Sequence, residues 1–355
     1  MAKKKKKEEE ESQVTAEELD AELAAKAREK LGDETIVKML ENMVLIRRFE
    51  EHAGRSYQRR KIKGFCHLYT GQEAVAVGSI GAAGDDDYIM SHYRDHGHAL
   101  AAGLTAKEVM AELYGKKTGC AGGKGGSMHL YDVERNFMGG WGIVGGQVPI
   151  GAGLAFAIKY RGDEACCLAY LGDGAVHQGV FHEALNMAKV WNLPLVVILE
   201  NNRYGMGTAV ERVSSTTDLE KKADSHQIYN EVVDGQDVFK VYDAVARART
   251  RAIEEGEPSF LHVRTYRYYG HSMTDPATYR GKDEVQEMRD LRDPIVRLRN
   301  WIISEELLTQ DEIDAIDDRA EETVKEAIKF ADESDFPDLS ALTENVYVEW
   351  QGEID

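Results

Sequence analysis

Two short apolar runs constrain this chain more than any other feature: residues 165–171 (ACCLAYL) and 195–199 (LVVIL). Breakers bound each run, the pattern of strands buried on both faces of a parallel sheet. Between them Phe181, Ala184, Leu185 and Ala188 recur at helical spacing. The unit reads strand, Gly-Asp-Gly turn, helix, strand, a right-handed crossover. Residues 260–263 form a further strand. With 355 residues and 43% apolar content, the chain can bury a sizeable core. The expected fold class is α/β, a parallel sheet flanked by helices.

Open α/β sheets bind ligands at the carboxyl ends of their strands, where Asp173 and Asn202 would meet. Magnesium takes a small octahedral shell of hard oxygens, one or two of them from side chains. Asp173 and Asn202 supply two such oxygens. Gly172 and Gly174 remove side chains where the backbone passes a diphosphate, and the helix that follows would turn its positive N-terminus to the anion. Either the tripeptide or the Asn-Asn pair alone is an ordinary turn. Their placement at the ends of adjacent buried strands is what gives them weight.

This arrangement resembles the thiamine diphosphate motif, in which GDG is followed downstream by NN. Longer phrases extend the resemblance over residues 36–299: GFCHLYTGQEA, YRDHGHAL, GGKGGSMHLY, GIVGGQVPIGAGLAFA, ENNRYGMGT and TYRYYGHSMTDPATYR. Together they resemble the alpha subunits of the pyruvate-decarboxylating component in the thiamine-diphosphate-dependent 2-oxo acid dehydrogenase family.

The resemblance implies magnesium held by Asp173, Asn202 and the Tyr204 carbonyl, and a diphosphate met by Tyr93, Arg94, His271 and the turn Gly172, Asp173, Gly174 and Ala175. It gives Gly142 and Val144 to the aminopyrimidine ring, Arg267 to the ordering of the His271 loop, and His67 and His271 to the reacting substrate. The activity implied is decarboxylation of pyruvate and transfer of the acetyl unit to the lipoyl group of a dihydrolipoyl acetyltransferase. Acetoin or a branched-chain 2-oxo acid is the alternative substrate. A noncatalytic scaffold subunit is a third reading, opposed by the joint presence of Asp173, Asn202, His67 and His271. No second βα-rich domain is visible for the pyrimidine half of the cofactor, so the activating glutamate is expected from a beta subunit in an assembly of two alpha and two beta chains. Ser272 matches a position phosphorylated in some family members. His177 stands where the family usually has asparagine, which would make diphosphate affinity sensitive to pH.

A net charge of −19 excludes a nucleic-acid binder. Cys66, Cys120, Cys166 and Cys167 form neither a disulfide framework nor paired CxxC sets, so a reducing cytoplasm is expected. His92 and His96 are spaced for one helical face, but nothing completes a zinc set. The run KKKKKEEEE lacks the apolar core of a signal or a membrane span. It defines a charged, flexible extension over residues 1–30, turning helical over 16–31, before one α/β domain over 31–355. Ile36, Met39, Leu40, Met43 and Val44 mark a helix, and Ile313, Ile316, Ala320, Val324, Ala327 and Ile328 another near the C-terminus. Residues 115–146 are glycine-rich with little periodicity and read as a long loop that lines the cofactor.

Overall fold

The computed structural model describes residues 18–347. Six strands form a wholly parallel sheet: β1 (Tyr88–His92), β2 (Phe137–Trp141), β3 (Cys167–Gly172), β4 (Leu195–Asn201), β7 (Tyr229–Asp234) and β8 (Ser259–Arg264), in the order β2-β1-β3-β4-β8-β7. A two-residue ribbon, β5 (Tyr204–Gly205) with β6 (Thr208–Ala209), stands apart from it.

Strand residues alternate between two apolar layers, as period two requires. Leu168, Tyr170, Val196 and Ile198 face one core, and Cys167, Ala169, Leu171, Leu195, Val197 and Leu199 the other. The first core packs against α1 (Ala21–Leu31), α2 (Asp33–Gln58), α3 (Glu73–Gly81), α4 (His96–Ala101) and α5 (Ala106–Leu113). The second is covered by α6 (Gln147–Arg161) and α7 (Gly179–Val190). Gly151 lets α6 close on β3, since a Cβ there would lie 2.8 Å from the Ala169 methyl. The short helix α8 (Val210–Val213) follows the ribbon. Then α9 (Val238–Thr250), α11 (Pro294–Ser304) and α12 (Gln310–Glu333) return to the first layer, and α10 (Lys282–Arg292) lies beside Tyr266 and Tyr268. Thr105 and Thr309 start α5 and α12 with reciprocal capping boxes to Glu108 and Glu312.

The expected strands are present, with shifted ends. Residues 165 and 166 precede β3, and the Cys166 N–H is taken by Asp87 rather than by the ladder. The loop expected over 115–146 contains β2, which the sequence hid: FMGGW has two glycines and no alternation. Residues 1–17 of the expected extension lie outside the described residues. From Leu19 onward the chain is packed, with Leu19, Ala24 and Ala27 buried and Lys30 over the Tyr242 ring. Residues 18–30 are thus not a loose tail. Among the described residues no helix is long and apolar enough to cross a membrane.

Candidate active site

The chain leaves β1 toward β2 and β3 toward β4, so strand order reverses between β1 and β3. Such a reversal opens a crevice at the carboxyl ends of the strands. A cavity of about 330 Å³ lies there. Tyr93 and Arg94 enter it after β1, Gly172, Asp173, Gly174 and Ala175 at the end of β3, and Asn202 and Tyr204 after β4. Arg267 and His271 arrive from the segment following β8. A second cavity of about 640 Å³ shares Tyr93, Val144, Met206 and His271, and adds His67, Gly142 and Ser272. Every site residue expected from the sequence therefore lines one cavity or the other.

Three hard oxygens converge on one wall. Asp173 is buried, and burial pushes its carboxyl up to about 6 despite hydrogen bonding from the Asn202 N–H and the pull of Arg267 and Arg94. The Asn202 amide nitrogen donates to Gln72 Oε1 at 3.1 Å, leaving Oδ1 for the cavity. Oδ1 and the Tyr204 carbonyl both accept from Arg267 Nη1, at 3.4 and 3.1 Å. A carboxylate, an amide oxygen and a carbonyl are a magnesium donor set. A Cβ at Gly172 would meet nothing within 4 Å, and one at Gly174 only the Gly205 Cα at 3.7 Å, so this turn borders open space. These residues fit a diphosphate with its metal. One expectation fails: a 3₁₀ turn, Ala175–His177, precedes α7, and the turn rather than the first residues of α7 faces the cavity. His177 is exposed at the cavity edge, and burial, Lys222 and His182 lower its pKa.

Arg94 and Arg267 are both buried. The Arg94 guanidinium donates to the carbonyls of Leu68 and His271 at 2.8 Å each. Arg267 donates to the carbonyls of Tyr204, Met206 and Tyr269 and to the Tyr279 hydroxyl, between 2.9 and 3.1 Å. Neither forms an ion pair with a carboxylate among the described residues. Burial and its like-charged neighbour Arg267 push Arg94 down to about 10. Buried cations are ordinarily paired. Two without counter-ions at one cavity mark a place for an anion.

The His67 ring lies 4.8 Å from Tyr93 and 5.1 Å from His271, centroid to centroid. Burial, Arg94 and His271 push His67 down to about 2, and burial, Arg94 and Arg267 push His271 down to about 4. Both rings are therefore neutral at pH 7 in this state. His67 Nδ1 is buried without a partner among the described residues. The His271 loop is self-braced. Asp275 accepts from the His271 and Ala277 N–H groups and the Tyr279 hydroxyl, at 2.6, 2.9 and 2.8 Å. Arg280 binds the carbonyls of Tyr268 and Tyr269.

Several contributors escaped sequence reading. Gln147 lines the cavity with a buried Oε1 that has no partner among the described residues. Glu200 accepts from Tyr69 and faces His92 and His98. Burial would raise its pKa, but the two imidazoles hold it well below the carboxylate range. His92, His98 and Glu200 have metal-ligand spacing, within 4.8 Å of one another. Their atoms are committed internally: His92 Nδ1 accepts the Arg94 N–H at 3.0 Å and its Nε2 meets Glu200 at 2.6 Å, while His98 Nδ1 meets Ser91. His96, paired with His92 in the sequence, turns instead to Glu50.

The glycine-rich loop also differs from expectation. The buried Glu112 carboxylate takes the N–H groups of Ala121, Gly123, Gly125 and Gly126 at 2.7 to 3.1 Å. This nest holds an internal anion, and only Met128 and Gly142 onward reach the cavities. At Gly142 a Cβ would sit 3.1 Å from the His129 ring, a tight contact that the exposed ring would have to yield to.

Residues 41–340 match the family model for the dehydrogenase E1 component. Among similar proteins, one of Rickettsia felis is 48% identical over 316 residues, spanning 88% of this chain and 96% of that protein. One of Rhizobium meliloti is 48% identical over 313 residues, spanning 88% and 90%. Both carry the name pyruvate dehydrogenase E1 component subunit alpha. A potato protein (Solanum tuberosum) named as the mitochondrial form is 46% identical over 318 residues, spanning 89% of this chain and 81% of its own length. The crossover fold, the strand-end oxygens and these similarities lead to one conclusion: the chain belongs to the dehydrogenase E1 component family.

Proposed function

We propose that this chain is the alpha subunit of a thiamine-diphosphate-dependent pyruvate dehydrogenase component, which decarboxylates pyruvate and passes the acetyl unit to the lipoyl group of a dihydrolipoyl acetyltransferase. One observation carries the reading: Arg94 and Arg267 are buried, with no ion pair to a carboxylate among the described residues, beside the oxygens of Asp173, Asn202 and Tyr204. Such a site calls for a polyanion and a divalent cation together. Asp173, Asn202 and the Tyr204 carbonyl would hold magnesium. Arg94, Arg267, Tyr93, His271 and the turn Gly172, Asp173, Gly174 and Ala175 would hold the diphosphate, with charge-assisted hydrogen bonds from the guanidiniums. Gly142 and Val144 would meet the aminopyrimidine. The bound cofactor supplies the carbanion chemistry of decarboxylation.

His67 and His271 border the larger cavity, which would take a small 2-oxo acid. Neutral imidazoles can donate to a carboxylate or hold a proton in transit without adding charge. The four free cysteines suit a reducing cytoplasm. A beta subunit would complete the assembly as two alpha and two beta chains and supply the glutamate that ionises the cofactor. Calorimetric titration of the co-purified pair with thiamine diphosphate and magnesium tests the reading. Tight binding that vanishes without the metal is expected; the same affinity in chelator would contradict it.

A further inference from the structure

Besides its ring packing on Tyr93 and His271, His67 owes its position to its backbone, because its Nδ1 finds no partner among the described residues. The His67 N–H donates to Ser127 Oγ at 3.3 Å, and two residues on, the Tyr69 N–H donates to Glu50 Oε1 at 2.8 Å. His96 joins the two acceptors, with Nδ1 2.9 Å from Glu50 Oε2 and Nε2 2.9 Å from Ser127 Oγ. The result is a closed ring of hydrogen bonds through α2, α4, the glycine-rich loop and residues 67–69. Glu50, His96 and Ser127 are all buried, so none of them trades these bonds for water.

We propose that Glu50, His96 and Ser127 act as a positioning clamp for His67, setting where its imidazole meets the substrate. This rests on the active-site reading of His67 given above. The three residues line neither cavity, so they act on the site through the residues they hold, chiefly His67. His96 is suited to bridge: Nδ1 meets the Glu50 carboxylate and Nε2 the Ser127 hydroxyl, and although burial opposes its charge, Glu50 and Asp95 raise its pKa. Its Nε2 also reaches the Ser127 carbonyl at 3.1 Å, gripping the loop that carries Met128 into the substrate cavity. A displacement of a reacting group by about 1 Å can cost on the order of a hundredfold in rate, so a clamp on the backbone has leverage.

The test is a double-mutant cycle on the alpha chain co-purified with its beta subunit, reading KM and kcat for pyruvate by dye reduction and cofactor affinity by calorimetry. Ser127→Ala should lower kcat/KM by about tenfold to a hundredfold, with cofactor affinity unchanged. Ser127→Thr, which keeps the hydroxyl, should restore most of the activity. In a His67→Ala background, Ser127→Ala should cost almost nothing further, because its effect runs through a side chain already gone. Equal losses in both backgrounds would overturn the clamp and leave the His67 reading standing. Wild-type activity in His67→Ala alone would overturn that reading and the clamp with it. If Ser127→Ala does not assemble, Glu50→Gln takes its place in the cycle: a loss that disappears in the His67→Ala background supports the clamp, and an equal loss in both backgrounds overturns it.

Discussion

Asp173 shows how much one residue disclosed and concealed. Its place was legible because GDG follows an apolar strand, and strand ends are where open α/β sheets bind ligands. Its energetic state was not, since burial among distant residues raises its carboxyl to about 6. A raised carboxyl stabilises the metal-free fold fully below the unfolded value near 3.8 and loses that contribution as pH rises through about 6. Asp173→Asn should therefore raise the thermal midpoint of the metal-free complex at pH 7 and above, with the gain fading as pH drops toward 4. The same variant should abolish magnesium-dependent cofactor binding. Because metal and proton compete for the wild-type carboxylate, magnesium affinity should fall about tenfold per pH unit below about 6. Asn202→Ala should weaken binding less, as a neutral ligand. Calorimetry across pH checks both, and metal affinity independent of pH down to 5 would remove Asp173 from the ligand set.

At the scale of elements, the sheet was legible where a short apolar run is bounded by breakers, as in β3, β4 and β8. It was missed at β1, β2 and β7; β2 pairs with β1 alone and two glycines break its apolar run, although Phe137 is buried in the first core. The glycine-rich loop was legible as functional territory, but its amides are spent on Glu112, a partner outside the loop's own sequence. Glu112→Ala would leave four part-buried N–H groups without their acceptor, at up to about 1–3 kcal/mol each. It should lower the thermal midpoint of the complex sharply, and an unchanged midpoint would mean that the loop is held otherwise. The His271 loop makes a different prediction. Ser272 is buried against the substrate cavity with its hydroxyl on Thr274 at 2.9 Å. A charge there, as in Ser272→Glu, should break the packing and repel a bound diphosphate. Activity should fall at least tenfold while the complex elutes at its normal size. Normal turnover at saturating pyruvate would place this loop away from the reaction.

At the scale of the whole molecule, the two cavities open onto an apolar rim, as the proposed half-site requires. Phe65, Val144 and Met206 line the cavities yet are exposed, as is Ile143 beside them, an apolar rim that suits closure by another subunit. No carboxylate among the residues lining the cavities other than Asp173 and Asp275 is available for the cofactor's activation, and both are engaged otherwise, Asp173 as the proposed metal ligand and Asp275 in bracing the His271 loop. The most direct measurement is dye reduction with pyruvate, thiamine diphosphate and magnesium, run in parallel on the purified alpha chain and on the chain co-purified with its beta subunit. The pair should turn over, and the alpha chain alone should be slower by about a hundredfold or more, the usual worth of a positioned proton acceptor. Equal turnover from the two samples would contradict the half-site, because it would mean that this chain carries its own activating group.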